Sequence, residues 1–244
     1  MELGTNVKFH NGLTVRVDWL SFTLKDITVP ATAFELLGYD ASAFQLLPSG
    51  RFGYKSAYTC NAVNGVTVLF DGNEGMGVHV DISGSAFDTV LQKYYDNHCE
   101  ETPFGIAYAT DDLAGTVLCD MLKDIMSIGQ ITRFDLAVDD IGAEHFNMDE
   151  LQEIFETGKC VTRFRGYKQQ KSKTFLGEVT GNTLYLGSRR SACMLRIYDK
   201  KLEQNAKLSK TTEPLIEYDW IRWELESTAV ISLCRVVHSV STPA

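Results

Sequence analysis

The sequence predicts an α+β fold: a mostly antiparallel sheet with inserted helices and a charged concave sheet face forming the site. Three features carry that expectation. Short runs rich in β-branched and aromatic residues recur along the chain. They are joined mostly by hairpin turn signals, and amphipathic helical stretches interrupt them without a regular strand–helix alternation. The 244 residues are 44% apolar and 11% aromatic, enough for a buried core. No Pro/Gly/Ser linker divides the chain, so residues 1–244 are expected to form one domain.

The elements follow in order. "LTVRVDWLSFTL" (Leu13–Leu24) reads as a strand, and "PATAFELL" as a short helix opened by Pro30 and closed by Gly38. "YKSAYTC" and "VTVLFDG" flank an Asn64-Gly65 turn, a hairpin signal. "MGVHVDI" is a further strand. The helix after it places Phe87, Val90, Leu91 and Tyr94 on one stripe, with Ser83 or Ser85 as its cap. A second amphipathic helix, "DDLAGTVLCDMLKDIM", is capped by Asp111 or Asp112 and precedes the strand "QITRFDLAVDD". "NMDELQEIFETG" is a helix with Asn147 as cap and Gly158 as stop. Beyond it the sequence is strand-rich: "CVTRFRGYK", "KTFLGEV", "TLYLGS", "CMLRIYDK" and "YDWIRWELES".

Charge is unevenly placed. The chain carries −9 overall, yet the 43 residues from Lys159 to Lys201 carry +9 and the remainder −18. A segment of that sign grips phosphates even on an acidic protein; it is also what a solvated basic face looks like. Arg163, Arg165, Lys168, Lys171 and Lys173 alternate with aromatic residues, and Arg189 and Arg190 follow. Cations that meet phosphate and rings that stack on unpaired bases point to nucleic acid. Two strands joined at a basic turn resemble a β-ribbon reader of duplex DNA. The six scattered cysteines form no C-x-x-C pair, and the first residues have neither the basic start nor the apolar middle of a signal peptide. No apolar run reaches the ~18–20 residues that span a bilayer. A cytoplasmic protein with reduced thiols and no membrane partner is expected.

Three strands put polar groups on one face. Alternation groups Arg133, Asp135 and Asp139, then Arg222, Glu224 and Glu226, then Arg196, Tyr198 and Lys200, each opposite an apolar face. Carboxylates on rigid strands suit Mg²⁺ or Mn²⁺, which take oxygen ligands and complete their shell with water and phosphate. Such an ion would polarise a phosphodiester. Asp135 and Glu224 are the candidate ligands, with Asp139 in reserve. Tyr198 is the candidate nucleophile, its phenolate favoured by the ion and by the cations Lys200 and Arg196. The same alternation also describes an ordinary one-sided sheet with cross-strand ion pairs, and periodicity does not separate the two readings. His79 shares a face with Asp81 and reads either as a hydrogen-bonded structural residue or as an extra ligand or DNA contact.

In sequence order, "VDWLSFTL", "GMGVHVDISGSAFD", "ITRFDLAVDD", "GNTLYLGSRRSACMLRIYDKKLE" and "IRWELE" together resemble the replication initiation factor family. That family comprises initiators of rolling-circle plasmids, phage-borne relatives and relaxases of conjugative elements. The resemblance runs from about residue 14 to 226. It implies an enzyme that nicks and rejoins one DNA strand at an origin. In that chemistry the tyrosine matching Tyr198 forms a 5′-phosphotyrosine link and frees a 3′-OH. It further implies an acidic metal site matching Asp135 and Glu224, origin DNA in double- and single-stranded form as partner, a homodimer, and a host helicase. Relatives usually continue past the 18 residues that follow Glu226, so either a short member of the family or a C-terminally truncated chain is expected. The alternative is a catalytically inactive origin-binding accessory protein or repressor.

Overall fold

The computed structural model describes residues 7–8, 12–99, 113–188 and 190–228. The chain divides into two compact units, one over Val17–Phe134 and a second over Asp135–Thr228 together with Asn6–Arg16. Strand β1 (Val7–Lys8) pairs antiparallel with the first residues of β2 (Leu13–Leu24).

In the first unit, β2 is followed by α1 (Ala31–Leu36), β3 (Phe44–Leu46), β4 (Ser56–Cys60), β5 (Val66–Phe70) and β6 (Val78–Ser83). Helices α2 (Gly84–Cys99) and α3 (Leu113–Ile128) lead to β7 (Gly129–Ile141). The strand order here is β3-β4-β5-β6-β2. Gly65, at φ +107°, lets the chain reverse between β4 and β5, as the Asn64-Gly65 signal predicts. Leu20, Phe22, Leu24, Val66, Val68, Val78, Val80 and Ile82 are buried in the sheet. The stripe Phe87, Val90, Leu91 and Tyr94 is buried on α2, as its spacing requires, and α3 buries Met121 and Ile125. Asp111 and Asp112, the expected caps of α3, lie outside the described residues.

In the second unit come α4 (Met148–Glu156), β8 (Tyr167–Lys173), β9 (Val179–Gly187), β10 (Cys193–Asp199), α5 (Lys200–Leu208) and β11 (Trp220–Ser227). The order is β7-β11-β10-β9-β8. Asn147 caps α4 by accepting from the Asp149 and Glu150 N–H groups, and Gly158 ends it at φ +68°. Met148 and Leu151 of α4 join Leu184, Leu186, Ile197 and Ile221 in one buried cluster, with Phe155 and Trp223 packed against it. That cluster takes the apolar face of β9, β10 and β11, so the polar residues of those strands point the other way.

Three expectations shift. The strand read in "KTFLGEV" is instead the turn between β8 and β9, with only Lys173 and Val179 in strands. The strand read through "CMLRIYDK" stops at Asp199, whose carboxylate accepts from the Leu202 N–H at 2.8 Å and caps a helix that alternation did not reveal. The stretch Cys160–Gly166 is irregular, and the ribbon begins only at Tyr167. Among the described residues no helix is long and apolar enough to cross a membrane.

Candidate active site and nucleic-acid interface

Seven antiparallel residue pairs join β10 to β11 and set the polar face of the second unit. Arg196 lies opposite Glu224, and Tyr198 opposite Arg222. Arg196 bonds Glu224 Oε1, while its Nε, though buried, has no hydrogen-bond partner among the described residues. The Tyr198 hydroxyl donates to Glu224 Oε2 at 3.3 Å and accepts from Lys200 Nζ at 3.4 Å. Both contacts are long, so packing and the ring's cations share in placing the phenol. The Arg196 guanidinium sits 5.0 Å and the Lys200 ammonium 5.5 Å from the ring centroid. Lys200 opens α5 and also reaches Glu203 Oε2 at 2.5 Å.

Asp139 is held differently. Arg222 grips it with two hydrogen bonds, Nε to Oδ1 at 2.6 Å and Nη2 to Oδ2 at 2.7 Å, and Trp220 Nε1 adds a third at 2.7 Å. The Gly142 N–H to Asp219 carbonyl bond and the Asp139–Arg222 pair share one antiparallel register. Continuing it sets Ala137 opposite Glu224, so Asp135 becomes a diagonal neighbour of Glu224 on the same face. Asp135 is fully buried, and Asp139, Arg222, Glu224, Tyr198 and Lys200 are each at most 8% exposed. The face is charged, as alternation predicts, and largely closed to solvent.

Burial dominates its electrostatics. It raises the Tyr198 phenol well above its ordinary value, the Glu224 charge adds to the rise, and Arg222 and Arg196 pull against both. The cations therefore act in the expected direction without activating the phenol by themselves. Burial also lowers the Lys200 ammonium, while Glu203 works to keep it charged. At Arg196 burial opposes the charge, and the Glu224 carboxylate more than offsets it.

Among the described residues no group of three or more His, Cys, Asp or Glu side chains has metal-holding geometry. A two-carboxylate site completed by water and phosphate is the type that hard divalent ions use beside nucleic acid. Glu224 and Asp135 have the oxygen chemistry for it. Asp139, with both oxygens spent on Arg222, does not offer a ready ligand.

The exposed cations lie elsewhere in the same unit. Arg163 and Arg165 precede β8, Lys168, Lys171 and Lys173 lie on it, and Arg190 follows β9; all are exposed. Lys171 is partly engaged with Gln152 of α4 at 2.9 Å. Arg189 lies outside the described residues.

The first unit carries a polar network of its own. Asp81 accepts from Ser21 at 2.5 Å and Arg51 at 2.7 Å and meets His79 Nε2 at 3.2 Å. His79 Nδ1 meets Thr23 at 2.9 Å, so both ring nitrogens have protein partners. Trp19 donates to Ser21, and Arg133 lies over the Trp19 ring at 5.0 Å. Sequence reading missed Ser21 and Arg51 as partners of Asp81 because they come from separate strands and loops.

The fold falls in a class set by comparison with a solved structure. The fold matches a solved rolling circle replication initiator protein from Geobacillus stearothermophilus, with a TM-score of 0.68, 22% identity, and coverage of 95% of this chain and 81% of that one. Two replication-initiation family models each match part of the chain. The family model described as Replication initiation factor matches residues 129–236, and that of the Rolling Circle replication initiation protein N-terminal domain matches residues 14–100. The chain is also 28% identical over 225 residues to the "Putative DNA relaxase NicK" of Bacillus subtilis (strain 168). That alignment takes in 90% of this chain and spans 57% of the relative's length.

Two outcomes test these networks. Arg222→Met strands the buried Asp139 charge and is expected to cost about 3–5 kcal/mol in urea unfolding, with Asp139→Asn restoring part of it in the double variant. Asp81 is the pH-sensitive one. Burial raises its pKa, but bonds from His79, Ser21 and Arg51 outweigh burial and hold it below the usual carboxylate range. Its stabilisation is complete above the unfolded value of about 4 and is lost as pH falls toward the lower folded value. The stability gap between the parent and Asp81→Asn should therefore be constant from pH 7 to 5 and shrink below pH 4.

Proposed function

We propose that this chain nicks and rejoins one strand of origin DNA, as a rolling-circle initiator or relaxase, with Tyr198 as nucleophile. The observation that carries the reading is the meeting of Tyr198 and Arg196 of β10, Glu224 of β11 and Lys200 at the start of α5, within the segment matched by the initiation factor model. The phenol oxygen attacks phosphorus, a phosphotyrosine bond forms at the 5′ side, and the bond to the 3′ oxygen breaks. The proton lost by the phenol balances the one gained by the freed 3′-OH. Reversal by that hydroxyl rejoins the strand.

Each residue has a task in this scheme. Glu224 Oε2, already the acceptor of the phenol hydrogen bond, orients the hydroxyl, and the phenol proton passes to solvent. The unpartnered Arg196 Nε is a buried donor suited to a phosphate oxygen. Lys200 holds the phenol from its other side, and Arg222 offsets the charge that Tyr198 acquires. A Mg²⁺ or Mn²⁺ ion held by Glu224 and Asp135 would neutralise developing charge on the phosphate. The exposed cations around β8 and β9 bind the DNA backbone.

A second reading keeps origin binding without chemistry, and one observation favours it: the phenol is buried and strongly disposed to stay protonated. Labelled single-stranded oligonucleotides tiled across the DNA flanking the chain's own gene separate the two on a denaturing gel. Strand transfer predicts a Mn²⁺-dependent, protein-linked band that disappears in Tyr198→Phe and falls at least a hundredfold in Glu224→Ala and Asp135→Ala. Free nicked product in both parent and Tyr198→Phe would mean that water attacks instead. Bound but uncut DNA would support the accessory protein. If phenolate is the attacking species, the raised phenol pKa requires the cleavage rate to climb about tenfold per pH unit from pH 6 to 8. A flat profile at saturating DNA would remove phenolate from the mechanism.

A further inference from the structure

Strands β8 and β9 form a two-stranded ribbon, paired from Tyr167 with Leu186 to Lys173 with Val179. Its turn is closed by the Thr174 N–H to Glu178 carbonyl bond at 2.8 Å and the Gly177 N–H to Thr174 carbonyl bond at 3.0 Å. The Thr174 hydroxyl oxygen accepts from the Glu178 N–H at 3.2 Å. Gly177, at φ +90°, supplies the conformation this turn needs. So well-defined a turn presents two large apolar side chains to solvent: Phe175 is 113% and Leu176 90% exposed. Val179 at the neck is 41% exposed. Adjacent apolar residues at a structured tip are not ordinary surface scatter.

The rest of the ribbon says what they meet. Lys168, Lys171 and Lys173 line β8, and Glu178 is the single acid between Tyr167 and Gly187. Cations that hold phosphates, leading to an apolar tip, are the arrangement with which DNA-bending proteins insert a side chain between base steps. Thr183 is the partner of both Tyr198 and Gln170, so the nucleophile is level with the middle of the ribbon. Val179 lies four residues beyond Thr183, or roughly 13 Å along the strand. That is about four base-pair rises.

We infer that Phe175 and Leu176 form a wedge that enters duplex DNA and unstacks a base step a few nucleotides from the strand presented to Tyr198. This rests on the DNA-nicking reading for its purpose, since a strand must leave the duplex before a buried tyrosine can reach it. Unstacking itself is measured without cleavage.

The probe is a 30-base-pair duplex with 2-aminopurine at a central TpA step, a flexible step that kinks easily. It is titrated at low salt without divalent metal, with the Tyr198→Phe chain, so that no bond breaks. Saturating protein should raise the fluorescence at least threefold. Phe175→Ala/Leu176→Ala should abolish the rise while still shifting the duplex on a native gel, and Phe175→Trp/Leu176→Ala should recover much of it. Both side chains are solvent-exposed, so these variants fold. An equal rise with the double alanine variant, no rise with any protein, or no duplex binding would overturn the wedge. So would unchanged fluorescence accompanied by loss of an oligomer in light scattering, which would assign the tip to a second copy of the chain. Failure of strand transfer on the denaturing gel leaves this fluorescence result standing, and the converse also holds.

Discussion

The register of β10 against β11 is the constraint on which the candidate site depends. Side chains alternate across a sheet, so a slip of one residue would send Arg196, Tyr198, Arg222 and Glu224 into the apolar cluster and bring Ile197 and Trp223 to the polar face. That cluster against α4 makes the slip costly. The apolar face therefore places the polar one, although no member of the cluster takes part in chemistry.

Burying so many charges on one face demands that each be answered. Asp139 is answered by Arg222 and Trp220, and Glu224 by Arg196 and the phenol. The two carboxylates differ in what they have left to give. Asp139 is saturated by a two-pronged guanidinium and serves to hold Arg222 rigid beside Tyr198. Glu224 spends one oxygen on Arg196 and offers the other in a long contact, so it can exchange partners. A phenol kept protonated by burial and by the Glu224 charge would be lowered only by added positive charge, such as a cation at Glu224; a further anion would raise it again.

Charge is divided unevenly along the chain, so that a net charge of −9 conceals a strongly basic segment. The +9 segment contributes both the ribbon cations, which are exposed, and the site cations Arg196 and Lys200, which are largely buried. The exposed ones are screened by salt, while the buried ones are screened much less. One stretch of sequence thus supplies two kinds of electrostatics, separated by whether the strand is central or at the edge of its unit.

Much of this was legible by eye in the chain. Alternation in "MLRIYDK" and "IRWELE" determined which residues share a face, because a strand's period of two is local and admits no other arrangement. Asn147 and Gly158 marked the ends of α4, and Asn64-Gly65 marked a hairpin, because caps and tight turns are set by neighbouring residues. Tertiary structure alone decided which charge answers which. Asp139 and Arg222 are 83 residues apart in sequence, and nothing local distinguishes that pair from Asp139 with Arg133. It also decided that Lys200 opens a helix, since Asp199 caps only when the chain leaves the sheet there. Finally, it decided that Tyr198 is buried and Phe175 is not. Both are aromatic residues beside lysines in the sequence, and exposure depends on what the rest of the chain packs against each.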